Sequence, residues 1–201
     1  TNEDGTYTVA SKAVAVNDVA PTLTLSGASS APLGSPYTLN LSATDPGADT
    51  ITQWVITWGD GVTETLTGNP SSATHVYTTP AARTVTATAT ESSNGSAASA
   101  AATTDVTVRN VAPTATFAVP AGGPAGSPVG VALTGAADAS PVDAAAGFTY
   151  AFDLGSGYGQ FGGASAASFT PADDGTYTVR AKVRDKDGGV TEYTATVVID
   201  N

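Results

Sequence analysis

Val16-Asn17-Asp18-Val19-Ala20-Pro21-Thr22 returns as Val108-Arg109-Asn110-Val111-Ala112-Pro113-Thr114, and Ile199-Asp200-Asn201 stands where a third copy would open. Asp18 to Asn110 is 92 positions and Asn110 to Asn201 is 91. Gly34-Ser35-Pro36 keeps step with Gly126-Ser127-Pro128, again 92 apart. A fixed period of this size describes an array of similar modules. The expected division is residues 1–18, the last strand and linker of a preceding module, then 19–110 and 111–201. Asp4-Gly5-Thr6-Tyr7-Thr8-Val9 recurs letter for letter from Asp174 to Val179, but lies 14 residues before its linker rather than 26. The leading module is therefore expected to be truncated in front and shortened inside. The lack of any Met agrees with an internal or processed segment.

Within each module the apolar pattern has period two. Residues 19–110 hold alternating or β-branched runs at Thr22 to Ser26, Tyr37 to Ala43, Ile51 to Trp58, Val62 to Thr67, Ala73 to Tyr77, Thr84 to Glu91 and Thr103 to Val108. Turn residues such as Asp45-Pro46-Gly47, Gly59-Asp60-Gly61 and Gly68-Asn69-Pro70 separate them. The second module repeats the series at Thr114 to Val119, Val129 to Thr134, Phe148 to Leu154, Gly157 to Phe161, Ala166 to Phe169, Tyr177 to Arg184 and Thr191 to Ile199. Seven short strands in about ninety residues predict an all-β fold of immunoglobulin-like antiparallel sandwiches. Alternation puts Trp54, Ile56 and Trp58 on one face, matched by Tyr150, Phe152 and Leu154. Tyr177, Val179, Ala181 and Val183 point inward, and Arg180, Lys182 and Arg184 outward. The Ala-rich stretches 97–102 and 144–146 are too short and too evenly apolar to predict helices. Because Pro113 leaves the linker short and extended, the two sandwiches are expected end to end.

Charge limits the partners. Only seven basic residues against eighteen acidic ones give a net charge of −11, the wrong sign for phosphate backbones. Nucleic acid and anionic membrane surfaces are excluded on that ground, while divalent cations are admitted. With no Cys there is no disulfide, thiolate metal site or thiol nucleophile. No apolar run reaches the eighteen or more residues of a membrane span, so no insertion within this segment is expected.

Trp54-Val55-Ile56-Thr57-Trp58-Gly59-Asp60-Gly61 resembles the polycystic-kidney-disease (PKD) domain family, whose aromatic strand ends in Trp-Asp-Phe-Gly-Asp-Gly. Gly59-Asp60-Gly61 matches fully, Trp58 stands at the preceding aromatic, and Ile56 replaces the family's Trp. The Asp45-to-Asp49 stretch, His75-Val76-Tyr77 and the Ala-Pro linkers extend the likeness across both modules, some 180 residues. The second module departs from the pattern at Gly155-Ser156-Gly157, which lacks the Asp. The resemblance implies a non-catalytic immunoglobulin-like module of a secreted or cell-surface, multi-domain protein.

Gly-Asp-Gly also reads as a tight turn in which the Asp caps backbone N–H groups, and Ser156 in the second module favours that role over metal binding. A cation site is read instead at the linkers. Asn17 and Asp18, with Asp45 and Asp49, lie at one end of a sandwich and offer hard oxygen donors suited to Ca²⁺. Asn110, Asp138 and Asp143 occupy the corresponding places in the second module. Val-Asn-Asp-x-Ala-Pro is similar to the linkers of bacterial cadherin-like arrays, where Ca²⁺ stiffens the joint. The alternative is that these Asp and Asn residues only initiate turns. The glycosylation sequons at Asn40 and Asn94 are short enough to arise by chance.

No catalytic set assembles: His75 is the only His and sits in a strand-like run, and Gly155-Ser156-Gly157-Tyr158-Gly159 opens no helix. An enzyme is not expected. Two classes remain. The first is a structural or adhesive repeat region of a surface protein or filament, its partners being neighbouring repeats, other copies of the chain, or a host or matrix ligand. Residues 1–18, with the run Tyr7 to Val16, would close the preceding module or add a strand to a neighbouring subunit. The alternative is an accessory, substrate-presenting region of a large secreted hydrolase, which a solvent-facing row of aromatics would favour. Tyr158 and Phe161 are the candidates for such a row.

Overall fold

The computed structural model describes residues 11–14, 19–47, 49–92 and 98–201. Asn17, Asp18, most of the Tyr7-to-Val16 run and the Asn94 sequon lie outside them. The first set of strands is β1 Thr22–Gly27, β2 Ser30–Pro32, β3 Pro36–Thr44, β4 Ile51–Thr57, β5 Thr63–Thr67, β6 Ser72–Val76, β7 Ala82–Glu91 and β8 Ala102–Arg109. The second is β9 Thr114–Ala118, β10 Gly122–Pro124, β11 Val129–Ala137, β12 Thr149–Asp153, β13 Ala166–Phe169, β14 Gly175–Arg184 and β15 Val190–Asp200, with the helix α1 Pro141–Ala146 between β11 and β12.

The first set forms sheets β1-β3-β6 and β2-β8-β7-β4-β5, and the second forms β9-β11-β13 and β10-β15-β14-β12. Strand for strand the order is the same, and only β5 lacks a counterpart. Among the described residues no strand pairing joins the two sets. Pairing is antiparallel except where β2 meets β8 and β10 meets β15, both parallel. The sequence reading missed these two edge strands because Ser30-Ala31-Pro32 and Gly122-Gly123-Pro124 carry no alternation.

Burial follows the predicted faces. Trp54, Ile56 and Trp58 are fully buried between the first pair of sheets, with Leu39, Tyr77 and Val85. Val179, Ala181 and Val183 are fully buried in the second sandwich, where Tyr150, Phe152 and Leu154 are partly buried. Each fully buried Val, Leu or Ile contributes about 1.5–3 kcal/mol relative to exposure. Two separate cores of this kind let each sandwich hold itself together.

The structure corrects two expectations in the second sandwich. Gly157 to Phe161 is not a strand: Asp153 Oδ1 accepts from the backbone N–H groups of Gly155 and Gly157, at 3.0 and 2.8 Å, and curls the chain away from the sheet. Only an isolated bridge, Tyr150 to Gly162, returns it to the edge of β12. Residues 144–146 are helical, as part of α1. Ser140 caps that helix by accepting from the Asp143 N–H at 3.3 Å, Pro opens its first turn and Gly147 closes it. Capping supplied what the missing amphipathic stripe did not.

The sandwiches meet through opposite ends. The turn Leu33-Gly34 lies beside the end of β8, since the Leu33 N–H donates to the Arg109 carbonyl at 2.8 Å. It abuts the loop that follows β11, at the end of the second sandwich where the linker enters, opposite that sandwich's own Gly126 turn. A Cβ built on Gly34 would fall 2.5 Å from Ser140 Cα and 3.0 Å from Pro141 Cδ. Gly34 also has φ +74°, which disfavours a side chain whatever the space. A glycine is thus required on two counts where the backbones touch.

Candidate metal centre

Strand β7 sends Val85, Ala87, Ala89 and then Glu91 to its inner face, so alternation carries a carboxylate to the end of the core. Glu91 is 1% exposed. The loop after β3 brings Asp45 and Asp49 to the same end. One carboxylate oxygen from each of Asp45, Asp49 and Glu91 lies within 4.8 Å of the other two. Asp45 Oδ1 accepts from the Gly47 N–H at 2.7 Å, and its buried Oδ2 has no hydrogen bond among the described residues. The Ser92 hydroxyl accepts from the Thr50 N–H at 3.1 Å and the Ser92 N–H donates to the Thr50 carbonyl at 2.9 Å, tying the loop to β7.

Three carboxylates so close repel one another. At 4.8 Å or less, and an effective dielectric of about 20, each ionised pair costs about 3.5 kcal/mol or more before solvent screening. A divalent cation removes that cost, and an all-oxygen set with an unbonded buried oxygen fits Ca²⁺. The sequence reading joined Asp45 to Asp49 but missed Glu91. The signal was the inward step of β7, a charged residue continuing Val85, Ala87 and Ala89.

The second sandwich resolves the same problem differently. Asp138 Oδ1 accepts from the Ser140 N–H at 2.7 Å, matching the Asp45 turn. Asp143 is fully buried, and Lys186 places its ammonium 2.9 Å from Asp143 Oδ1 while also pairing with Asp187. These carboxylates, Asp187 foremost and Asp143 next, hold the Lys186 ammonium above its ordinary pKa. Asp185 takes the inward position of Glu91, next in the series Val179, Ala181 and Val183. Its Oδ2 accepts from Asn110 Nδ2 at 2.9 Å, and its Oδ1 from the N–H groups of Asp187 and Gly189. Asn110 is thus drawn to Asp185, and Asp143 to a lysine. Among the described residues only Asp45, Asp49 and Glu91 form a three-acid set.

The Gly-Asp-Gly turn works as a turn. Asp60 Oδ1 accepts from the Val62 N–H at 3.1 Å, and Oδ2 lies 2.7 Å from His75 Nε2. Burial alone would raise the Asp60 carboxyl, but the bonds from His75 and Val62 outweigh it and leave its pKa lowered. His75 stacks on Trp58, with ring centroids 4.8 Å apart and planes 12° apart. A second-sandwich face carries Tyr158 and Phe161. Lys182 lies over the first ring and Arg184 over the second, each 4.0 Å from the centroid. Tyr158 also donates to Glu192 at 2.9 Å. Each ring thus has one face covered by a cation.

The PKD-domain family model matches residues 18–108. That span holds the Trp58-Gly59-Asp60-Gly61 turn and the acid set together. The matched residues, 18–108, make up a PKD-like domain. Among solved structures, the PKD domain of an M14-like peptidase from a Thermoplasmatales archaeon is 28% identical, covering 44% of this chain and 92% of that one at a TM-score of 0.36. The PKD1 domain of Vibrio anguillarum Epp is 27% identical, covering 46% and 98% at 0.34. The fibronectin(III)-like modules of Clostridium thermocellum CbhA are 15% identical over 89% of this chain and 94% of theirs, at 0.37. No curated protein sequence matches the chain. PKD domains are generally non-catalytic modules and occur in extracellular proteins. In this one Asp45, Asp49 and Glu91 stand at the pole opposite the Gly34 turn. No helix among the described residues is long and apolar enough to cross a membrane.

Proposed function

We propose that the chain is a spacer segment of a secreted or surface-displayed array, in which PKD-type sandwiches stack head to tail. The observation that carries this reading is the joint. One sandwich presents its Gly34 turn to the opposite pole of the next, so the contact uses two different surfaces and can be repeated without limit. The residues 19–110 and 111–201 act as two such modules, each with its own core. A rod of this design sums the stability of its units and transmits length rather than chemistry.

Calcium held by Asp45, Asp49 and Glu91 would fix the loop between β3 and β4 at the pole that faces whatever precedes residue 19. Lys186 performs that task for the second module. The alternative, substrate presentation for a hydrolase, asks for uncovered aromatic faces, and the cations over Tyr158 and Phe161 weigh against it. Sedimentation velocity tests the spacer reading. A high frictional ratio, unchanged over a wide range of protein concentration, is expected with calcium present. A ratio typical of a compact sphere would reject it.

A further inference from the structure

The turn that receives the second sandwich is reproduced on that sandwich's own far pole. The Gly34 N–H donates to the Tyr77 carbonyl at 3.1 Å, and the Gly126 N–H to the Pro171 carbonyl at 2.8 Å. Ser35 N–H reaches the Pro32 carbonyl at 3.3 Å, and Ser127 N–H the Pro124 carbonyl at 3.3 Å. Leu33 N–H bonds to the Arg109 carbonyl at 2.8 Å, and Ala125 N–H to the Asp200 carbonyl at 2.9 Å. The glycine φ values are +74° and +76°. The two poles differ in what covers them. Gly34 is closed off by Ser140 and Pro141, whereas nothing lies within 4 Å of a Cβ built on Gly126.

We infer that the Gly126 pole is a docking surface for a further sandwich of the same kind, seated through the loop that follows its third strand. The occupant is identified by the first joint, where the same turn is already covered by that loop. Continuity of the linker supports it. Asn110 leaves the first sandwich one residue after β8 and donates to the buried Asp185 of the second. Asn201 holds the equivalent place one residue after β15, with the same amide to offer an incoming acid. A glycine is then required at 126 for clearance as well as for its φ, which explains why the sequence keeps Gly-Ser-Pro at both poles. The inference rests on the spacer reading and deepens it.

The test extends the full chain after Asn201 with a second copy of residues 111–201. The chain has no Cys, so spin labels can be placed by single cysteine substitutions. Thr103 on β8 and Thr194 on β15 are exposed and occupy matching positions three residues before the buried pairs Val106/Val108 and Val197/Ile199. Labels at Thr103 and Thr194 read the first joint, and labels at Thr194 and its appended copy read the second. Double electron–electron resonance is expected to give the same mean distance and an equally narrow distribution for both pairs. Gly126→Asn, which tolerates positive φ while adding a side chain, should broaden and lengthen only the second. A narrow first joint with a broad second joint overturns this inference alone, as does a second joint indifferent to Gly126→Asn. A broad first joint overturns the spacer reading itself. Unchanged circular dichroism of Gly126→Asn in the unextended chain shows that the second sandwich still folds.

Discussion

His75 and Asp60 are bonded between the two sheets of the first sandwich, the imidazole Nε2 lying 2.7 Å from the carboxylate Oδ2 while the same ring lies flat on Trp58. The link joins the turn after β4 to β6 in the opposite sheet, so it closes the sandwich between its two layers. Because Asp60 has a lowered pKa when folded, the unfolded chain binds its proton more readily. Stability from this group is present above the ordinary carboxylate range and lost as pH falls through the folded value. Asp60→Asn should lower stability at neutral pH by about 1.5–3 kcal/mol, the scale of a hydrogen bond to a charged group. It should also flatten the acid limb of the stability curve. Urea denaturation as a function of pH checks both, and an unaltered acid limb would separate Asp60 from acid unfolding.

Trp58 has no exposure and packs among Tyr37, His75 and Tyr77. Trp58→Ala is expected to cost about 3–5 kcal/mol through lost contacts and cavity. Since no pairing joins the two sets of strands among the described residues, the loss should fall on the first sandwich alone. Both tryptophans, Trp54 and Trp58, lie in that sandwich, so the remaining indole reports it while far-ultraviolet dichroism reports the whole chain. Two separated transitions are expected in the variant. A single joint transition would mean that the sandwiches unfold as one.

The strands and the inward faces were legible in the sequence because alternation at Trp54, Ile56, Trp58 and at Val179, Ala181, Val183 is a local signal. What escaped was set by partners distant in sequence. Glu91 could be placed beside Asp45 and Asp49 only once β7 was paired with β4, and His75 beside Asp60 only once the sheets faced each other. The Gly157-to-Phe161 error has a local cause, since Tyr158 and Phe161 stand three apart and share no strand face, while Asp153 caps the turn before them. Lys186 was invisible as a cation for Asp143 because 43 residues separate them.

Calcium binding at Asp45, Asp49 and Glu91 should raise the melting temperature of the first sandwich and leave the second unmoved. At a hundredfold excess of calcium over its dissociation constant the stabilisation is about 2.7 kcal/mol. Tryptophan-monitored melting with millimolar calcium and with chelator gives the comparison. Glu91→Gln should abolish the difference, and superimposable curves for the unaltered chain would remove calcium from the account.

Lys186→Met leaves Asp143 buried without its ammonium. Breaking such a pair from one side costs about 3–5 kcal/mol when both partners are buried, and less here because the lysine is 30% exposed. The loss should appear in the second sandwich and be partly recovered by Asp143→Asn in the same chain. Tyrosine-detected unfolding of Lys186→Met, with and without the second change, measures the coupling. Additive losses would show that Lys186 and Asp143 act independently.

Small-angle X-ray scattering of the full chain tests the head-to-tail arrangement most directly. The eleven-residue β15 spans about 36 Å at ~3.3 Å per residue, so two sandwiches in line approach about 72 Å. A rod of that length and roughly 12 Å half-width has a radius of gyration near 22–24 Å, whereas a compact chain of 201 residues has about 16–17 Å. The account predicts the larger value and a pair-distance distribution with a long tail. A radius near the smaller value, with a symmetric distribution, would mean that the sandwiches fold back on one another and would contradict it.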